Sequence, residues 1–121
     1  MIEEFVSRSM ALRDATHLAH LTVNGAGSYA KHMALGDFYG ALIDKMDSIV
    51  EAHQGINQAL IGAVTPFPYS PKDPLTQILA FGKWVDQNRQ KITNGNRVLE
   101  NLIDELGQII ASAAYKLKFL A

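Results

Sequence analysis

The chain is predicted to be all-α, with four helices in a bundle joined by two short turns and one long crossover. Three observations carry this expectation. Apolar residues recur at helical rather than alternating spacing along most of the 121 residues. All four prolines fall between positions 66 and 74. The two remaining breaks in the pattern are short and rich in Gly and Asn.

The first helix is expected from about Ile2 to Val23, with Phe5, Leu12, Leu18 and Leu21 near helical spacing. It stops at Asn24-Gly25-Ala26-Gly27-Ser28, where two glycines suit a tight reversal. The second runs from Ser28, read as its N-cap, to Gln54, with Gly55 as its stop. Its apolar positions include Met33, Phe38, Leu42, Met46 and Ile49. The crossover follows, INQALIGAVTPFPYSPKDP, with a short helical turn expected near Asn57 to Ile61. Pro66, Pro68 and Pro71 exclude regular structure after that turn. Asp73-Pro74 opens the third helix as N-cap and first helical residue, and the helix continues to about Ile92. After Thr93-Asn94-Gly95-Asn96, the fourth runs from Arg97 to Leu120 with the stripe Val98, Leu102, Leu106, Ile109, Ala113 and Leu117.

Linker lengths set the topology. The two short turns make antiparallel hairpins of helices one and two, and of three and four. A crossover of about 18 residues spans up to about 60 Å when extended, whereas helix two is about 39 Å long. The crossover can therefore travel the whole bundle and leave helices two and three parallel, which is the ferritin-like arrangement.

Composition bounds the function. The length fits one domain with one core spanning residues 1–121. The absence of cysteine excludes disulfides, thiolate metal sites and thiol nucleophiles. No apolar run reaches the roughly 20 residues of a membrane span. The opening MIEEFVSRSM lacks an apolar signal core, so a cytoplasmic location is expected. The net charge is −1, from 11 basic and 12 acidic residues, and no basic tail exists beyond Lys116 and Lys118. Nucleic acid is thus a disfavoured partner. GAG at 25–27 follows a helix, not a strand, so it is no phosphate loop. The paired Glu-x-x-His motifs of intrasubunit diiron bundles are missing.

One constellation carries chemistry. His20 lies about six residues before the middle of the first reversal and His32 about six after it, so a hairpin brings them to one height. Asp47 and Glu51, four apart, share a face of helix two, with Asp44 near the same stripe. Imidazole and carboxylate together suit a transition metal. Yet His32 and Glu51 are 19 residues apart on one helix, or about 28 Å. One chain cannot close that site. Two copies packed antiparallel through helix two would set the histidines of one against the carboxylates of the other, giving two identical sites per dimer.

The register His20, His32, Asp47, Glu51, together with SYAKHMALGDFYGALID and DSIVEAHQG, resembles the ferroxidase region of the Dps (mini-ferritin) family, including small phage-encoded members. The likeness covers about residues 15–55. It implies that His20 and His32 bind iron from one subunit and Asp47 and Glu51 from its neighbour, with Glu51 as a bridge. It further implies iron oxidation by peroxide or oxygen, with storage in a hollow dodecamer of this chain. Where the family has a further Asp, this chain has Gly36, and Asp37 is the substitute ligand one position on, rotated by about 100°. Leu21 stands where the family has Trp, and the family's basic tail has no counterpart. The competing expectation is a bundle that keeps the fold for assembly or interaction and has lost catalysis.

Other residues receive plainer readings. His17 belongs to a polar helix face, and His53 to the surface or the end of helix two. Tyr29, Tyr39 and Trp84 are read as core aromatics. Glu100, Asp104 and Glu105 form a solvated face, and Gly36 and Gly40 are either tolerated or mark a close helix–helix approach.

Overall fold

Capping chemistry sets where the helices begin and end. The structure, a computed structural model, describes residues 1–70 and 73–120. These form α1 (Ile2–Thr22), α2 (Ser28–Asn57), α3 (Pro74–Thr93) and α4 (Arg97–Phe119), with no strand among the described residues. Asp73 caps α3 as expected, its carboxylate accepting from Thr76 N at 3.0 Å, with Pro74 following. Asn96 does the same for α4, accepting from Val98 N and Leu99 N.

The ends of α2 depart from expectation. Its N-cap is Gly27 in the left-handed region at φ 76°, without a side-chain cap, so Ser28 is the first helical residue rather than the cap. Gly55 does not stop the helix. The stop is Gln58 at φ 50°, whose N–H bonds Gln54 O, and the helical turn expected near 57–61 is instead the unwinding of α2. Asn57 helps by donating to His53 O at 2.8 Å.

The helices pack as four neighbouring pairs, α1–α2, α2–α4, α4–α3 and α3–α1, which leaves α2 and α3 on the diagonal. Ion pairs Lys45–Glu105 and Lys116–Asp37 fix α2 and α4 as antiparallel. His53, Ile56 and Asn57 line the same cavity as Ile92 and Thr93, so α2 and α3 end together and run parallel. This is an all-α four-helix bundle with one crossover, the topology the linker lengths favoured.

The crossover is strapped to the outside of α1 and α3. Gly62 N donates to Glu3 at 2.8 Å, and Ser7 Oγ to Thr65 O at 2.5 Å. The Arg8 guanidinium lies 4.6 Å from the Phe67 ring and 4.7 Å from the Trp84 ring. Gln77 Nε2 reaches Ser70 O. The exclusion of regular structure holds through Ser70; Pro71 lies outside the described residues.

Phe5, Phe38, Leu42, Ile49, Ile78, Ile103 and Leu106 are almost wholly buried, each worth roughly 1.5–3 kcal/mol. On α4 the core stripe is Leu99, Ile103, Leu106, Ile110 and Ala113. It shares only Leu106 and Ala113 with the expected stripe; Val98 is exposed, and Leu102, Ile109 and Leu117 sit at the core's margin. Leu18, Leu21 and Met33 are exposed as well, against expectation.

Glu100 is not part of a free solvated face. It accepts from Thr93 Oγ1 at 2.6 Å and from Arg89, which also donates to Glu100 O and Asp104. The Thr93 hydroxyl first, and then Arg89, hold the Glu100 carboxyl below the usual carboxylate range. The charged form is the one the fold favours. Its stabilisation is therefore present above the ordinary carboxylate pKa and is lost as pH falls through the depressed folded value. Melting temperature followed over an acid titration should fall more steeply for the native chain than for Glu100→Gln. Equal slopes would mean that this cluster does not tie α3 to α4.

Candidate metal centre

At the α1–α2 hairpin the two helices exchange hydrogen bonds through their histidines. His20 Nδ1 lies 2.6 Å from His32 O, and His32 Nδ1 lies 2.8 Å from His20 O. A carbonyl can only accept, so in both rings Nδ1 carries the hydrogen. The neutral tautomer that remains has its lone pair on Nε2. Neither Nε2 has a hydrogen-bond partner among the described residues, and neither is sealed from solvent. A backbone carbonyl holding one nitrogen while the other is offered outward is how proteins prepare an imidazole for a metal.

The two rings stack, with centroids 3.7 Å apart and planes inclined by 19°. A metal lies near the plane of its imidazole, about 2.1 Å from the nitrogen. Planes this nearly parallel meet only about 11 Å away. Held this way, the pair cannot share one ion; each ring would take its own.

The position of Gly36 follows from the same arrangement. A Cβ built there would lie 3.0 Å from His20 Cε1 and 3.2 Å from Nδ1. The His20 ring thus occupies the space that any side chain at 36 would enter. Asp37 points to the opposite flank, exposed and 3.8 Å from Lys116 of α4. No group of three or more His, Asp or Glu able to hold a metal exists among the described residues of one chain, so Asp37 does not join the histidines there.

Asp47 and Glu51 are exposed and carry no ion pair among the described residues. They lie about 22 and 28 Å along α2 from His32. With Tyr29, Met33, Gly36 and Gly40 they fall within an arc of about 60° on the outward face of α2. Midway between His32 and the carboxylate pair sits Gly40, where an added Cβ would meet nothing within 4 Å.

Two residues with plainer expectations belong to this neighbourhood. Tyr39 stacks on His17 at 4.3 Å and 17° and meets the edge of His20 at 5.5 Å. Its one-turn offset from Gly36 was the available signal. Tyr29, read as core, is 76% exposed, and Trp84 packs at the margin of the core. His53 is half-buried, and its Nδ1 is buried without a partner.

A family model described as a family of unknown function (DUF5856) matches residues 20–117, and the chain belongs to that family. No curated protein and no solved structure matches the chain.

Gly107, in the interior of α4 with open space around it, calibrates the glycine at 36. Gly107→Ala should stabilise by about 1 kcal/mol through helix propensity alone. Gly36→Ala should show no net gain, because a similar amount is lost with the His20–His32 hydrogen bond. Urea midpoints read both. A Gly36→Ala gain equal to that at 107 would mean that the His20 ring does not rest on α2.

Proposed function

We propose that this chain is a mini-ferritin of the Dps kind, which binds ferrous iron between two copies and oxidises it. The observation that carries the reading is the reciprocal His20–His32 clasp, which fixes both tautomers and leaves both Nε2 lone pairs open. The donor set fits iron: two neutral imidazoles from one copy, with Asp47 and Glu51 of the other adding the negative charge that favours the ferric product. Stacked rings that cannot share an ion would each hold an iron of its own, with Asp47 and Glu51 of the other copy supplying the carboxylates.

The outward face of α2 supports the pairing. A two-fold axis at Gly40 sets each His32 opposite Asp47 and Glu51, and the glycine lets the backbones approach. Tyr29 and Met33 supply apolar contact beside the histidines. Ferric storage in a closed shell of such dimers completes the reading. No helix among the described residues is long and apolar enough to cross a membrane.

A second reading has its own observation. The same two hydrogen bonds tie the end of α1 to the start of α2, so the histidines could serve the fold alone, in a bundle kept for assembly. Substitution separates the two. His32→Ala and Glu51→Ala should each abolish rapid Fe(II) oxidation, followed by ferric absorbance, while circular dichroism stays helical. Mixing the two variants after subunit exchange should then restore about a quarter of the native rate, because half the random dimers hold one intact site of two. Undiminished oxidation in both variants would sink the site, and failure of the mixture to recover would sink its sharing between copies.

A further inference from the structure

The crossover does more than connect α2 to α3, because it walls a groove against α1 and α3. Arg8 and Leu12 of α1, Phe67 and Tyr69 of the crossover, and Phe81 and Trp84 of α3 line an open cavity of about 310 Å³. That volume lies at the small end of the range for small-molecule sites, roughly 300–1,000 Å³. The wall is tethered along its length, by Gly62 N to Glu3, Ser7 Oγ to Thr65 O, and Gln77 Nε2 to Ser70 O. The groove is thus preformed.

Its lining is aromatic and partly uncovered. Phe67 and Tyr69 are 43% and 47% exposed, while Phe81 belongs to the core and stacks with Trp84 at 6.4 Å and 23°. Ala11 of α1 and Ala80 of α3 offer only methyl groups, which leaves space beside the rings. One cation stands among them. The Arg8 guanidinium lies 4.6 Å from the Phe67 ring and 4.7 Å from the Trp84 ring, contacts that place it without using its hydrogen-bond donors. Its Nε–H donates to Glu4 at 2.8 Å, and neither Nη group has a protein partner among the described residues. Glu4 is exposed, so water weakens its hold on the charge. The planar end of a guanidinium matches the two oxygens of a carboxylate.

We propose that this groove binds a small aromatic carboxylate, its ring against Phe67, Phe81 and Trp84 and its carboxylate accepting from the Nη groups of Arg8. An aliphatic acid would pair with Arg8 but forgo the ring contacts, and a neutral arene would leave the Nη donors to water. The groove shares no residue with the histidine centre, so the inference stands independently of iron binding and of a second copy.

The test titrates the full chain with indole-3-carboxylate and with benzoate by calorimetry, while NMR follows the indole N–H of Trp84, the only tryptophan. Both acids should bind saturably and shift the Trp84 signal, and their amides should bind about tenfold more weakly. Arg8→Gln should bring acid and amide to the same weak affinity. If circular dichroism shows that Arg8→Gln does not fold, Ala80→Phe decides: position 80 is exposed on α3, so the added ring fills the groove and should abolish binding with helical content unchanged. Undiminished binding in Ala80→Phe, or equal affinity of the native chain for acid and amide, would overturn the proposal. So would failure of both acids to bind, including the case where a proline-rich peptide shifts the Trp84 signal instead.

Discussion

The organisation of this end of the molecule depends on the reciprocal hydrogen bonds between His20 and His32. The His20 carbonyl belongs to the last turn of α1, where helical geometry leaves carbonyls without an intrahelical partner. His32 Nδ1 satisfies it from the neighbouring helix. In return the His20 ring lies across the backbone of α2, over Gly36, and its edge receives Tyr39. Each bond alone is worth about 1 kcal/mol net. Their larger effect is directional, since together they decide which nitrogen of each ring is protonated and which is open to a ligand.

Much of the fold was legible because it follows from chain lengths and local chemistry. Crossover reach against helix length allowed and favoured a parallel α2 and α3, and Asp73-Pro74 announced α3 through its own capping. The pairing of His20 with His32 was legible for a related reason: equal spacing about a turn places residues at equal height in any hairpin. What could not be read were choices made by packing. The apolar residues of α4 form two overlapping stripes sharing Leu106 and Ala113, and periodicity cannot say which faces inward. The bundle selects the one carrying Ile103 and Ile110. Likewise the end of α2 passed through Gly55, because a glycine stops a helix only where the chain turns into the left-handed region, and here Gln58 takes that conformation.

Gly36 reads differently in one dimension and in three. In sequence it is a carboxylate missing from an expected position. In the structure it is the space that a histidine ring requires, with 3.0 Å between the ring and any added Cβ. Asp37, the substitute nearest in sequence, faces Lys116 because one helical step turns it by about 100° toward α4. The ring contacts of Tyr39 were hidden for the same reason, being made across two helices rather than along one.

The outward face of α2 is costly by the standards of an isolated helix. Glycines at 36 and 40 each weaken it by about 1 kcal/mol relative to alanine. Asp44, Asp47 and Glu51 set like charges three and four residues apart, which costs a few tenths more per pair. None of the three has an ion-pair partner among the described residues, although Lys45 on the same helix pairs with Glu105 of α4, and Asp37 with Lys116 of α4. The buried face of α2, with Leu35, Phe38, Leu42 and Ile49 almost wholly covered, carries the stability that the outer face gives up. Local weakness confined to one face of an otherwise well-packed helix is the pattern expected where that face serves something outside the chain. On the proposed reading, a second copy of α2 laid antiparallel across Gly40 would meet these features: Gly40 leaves room for its backbone, and its histidine end would receive the uncompensated carboxylates.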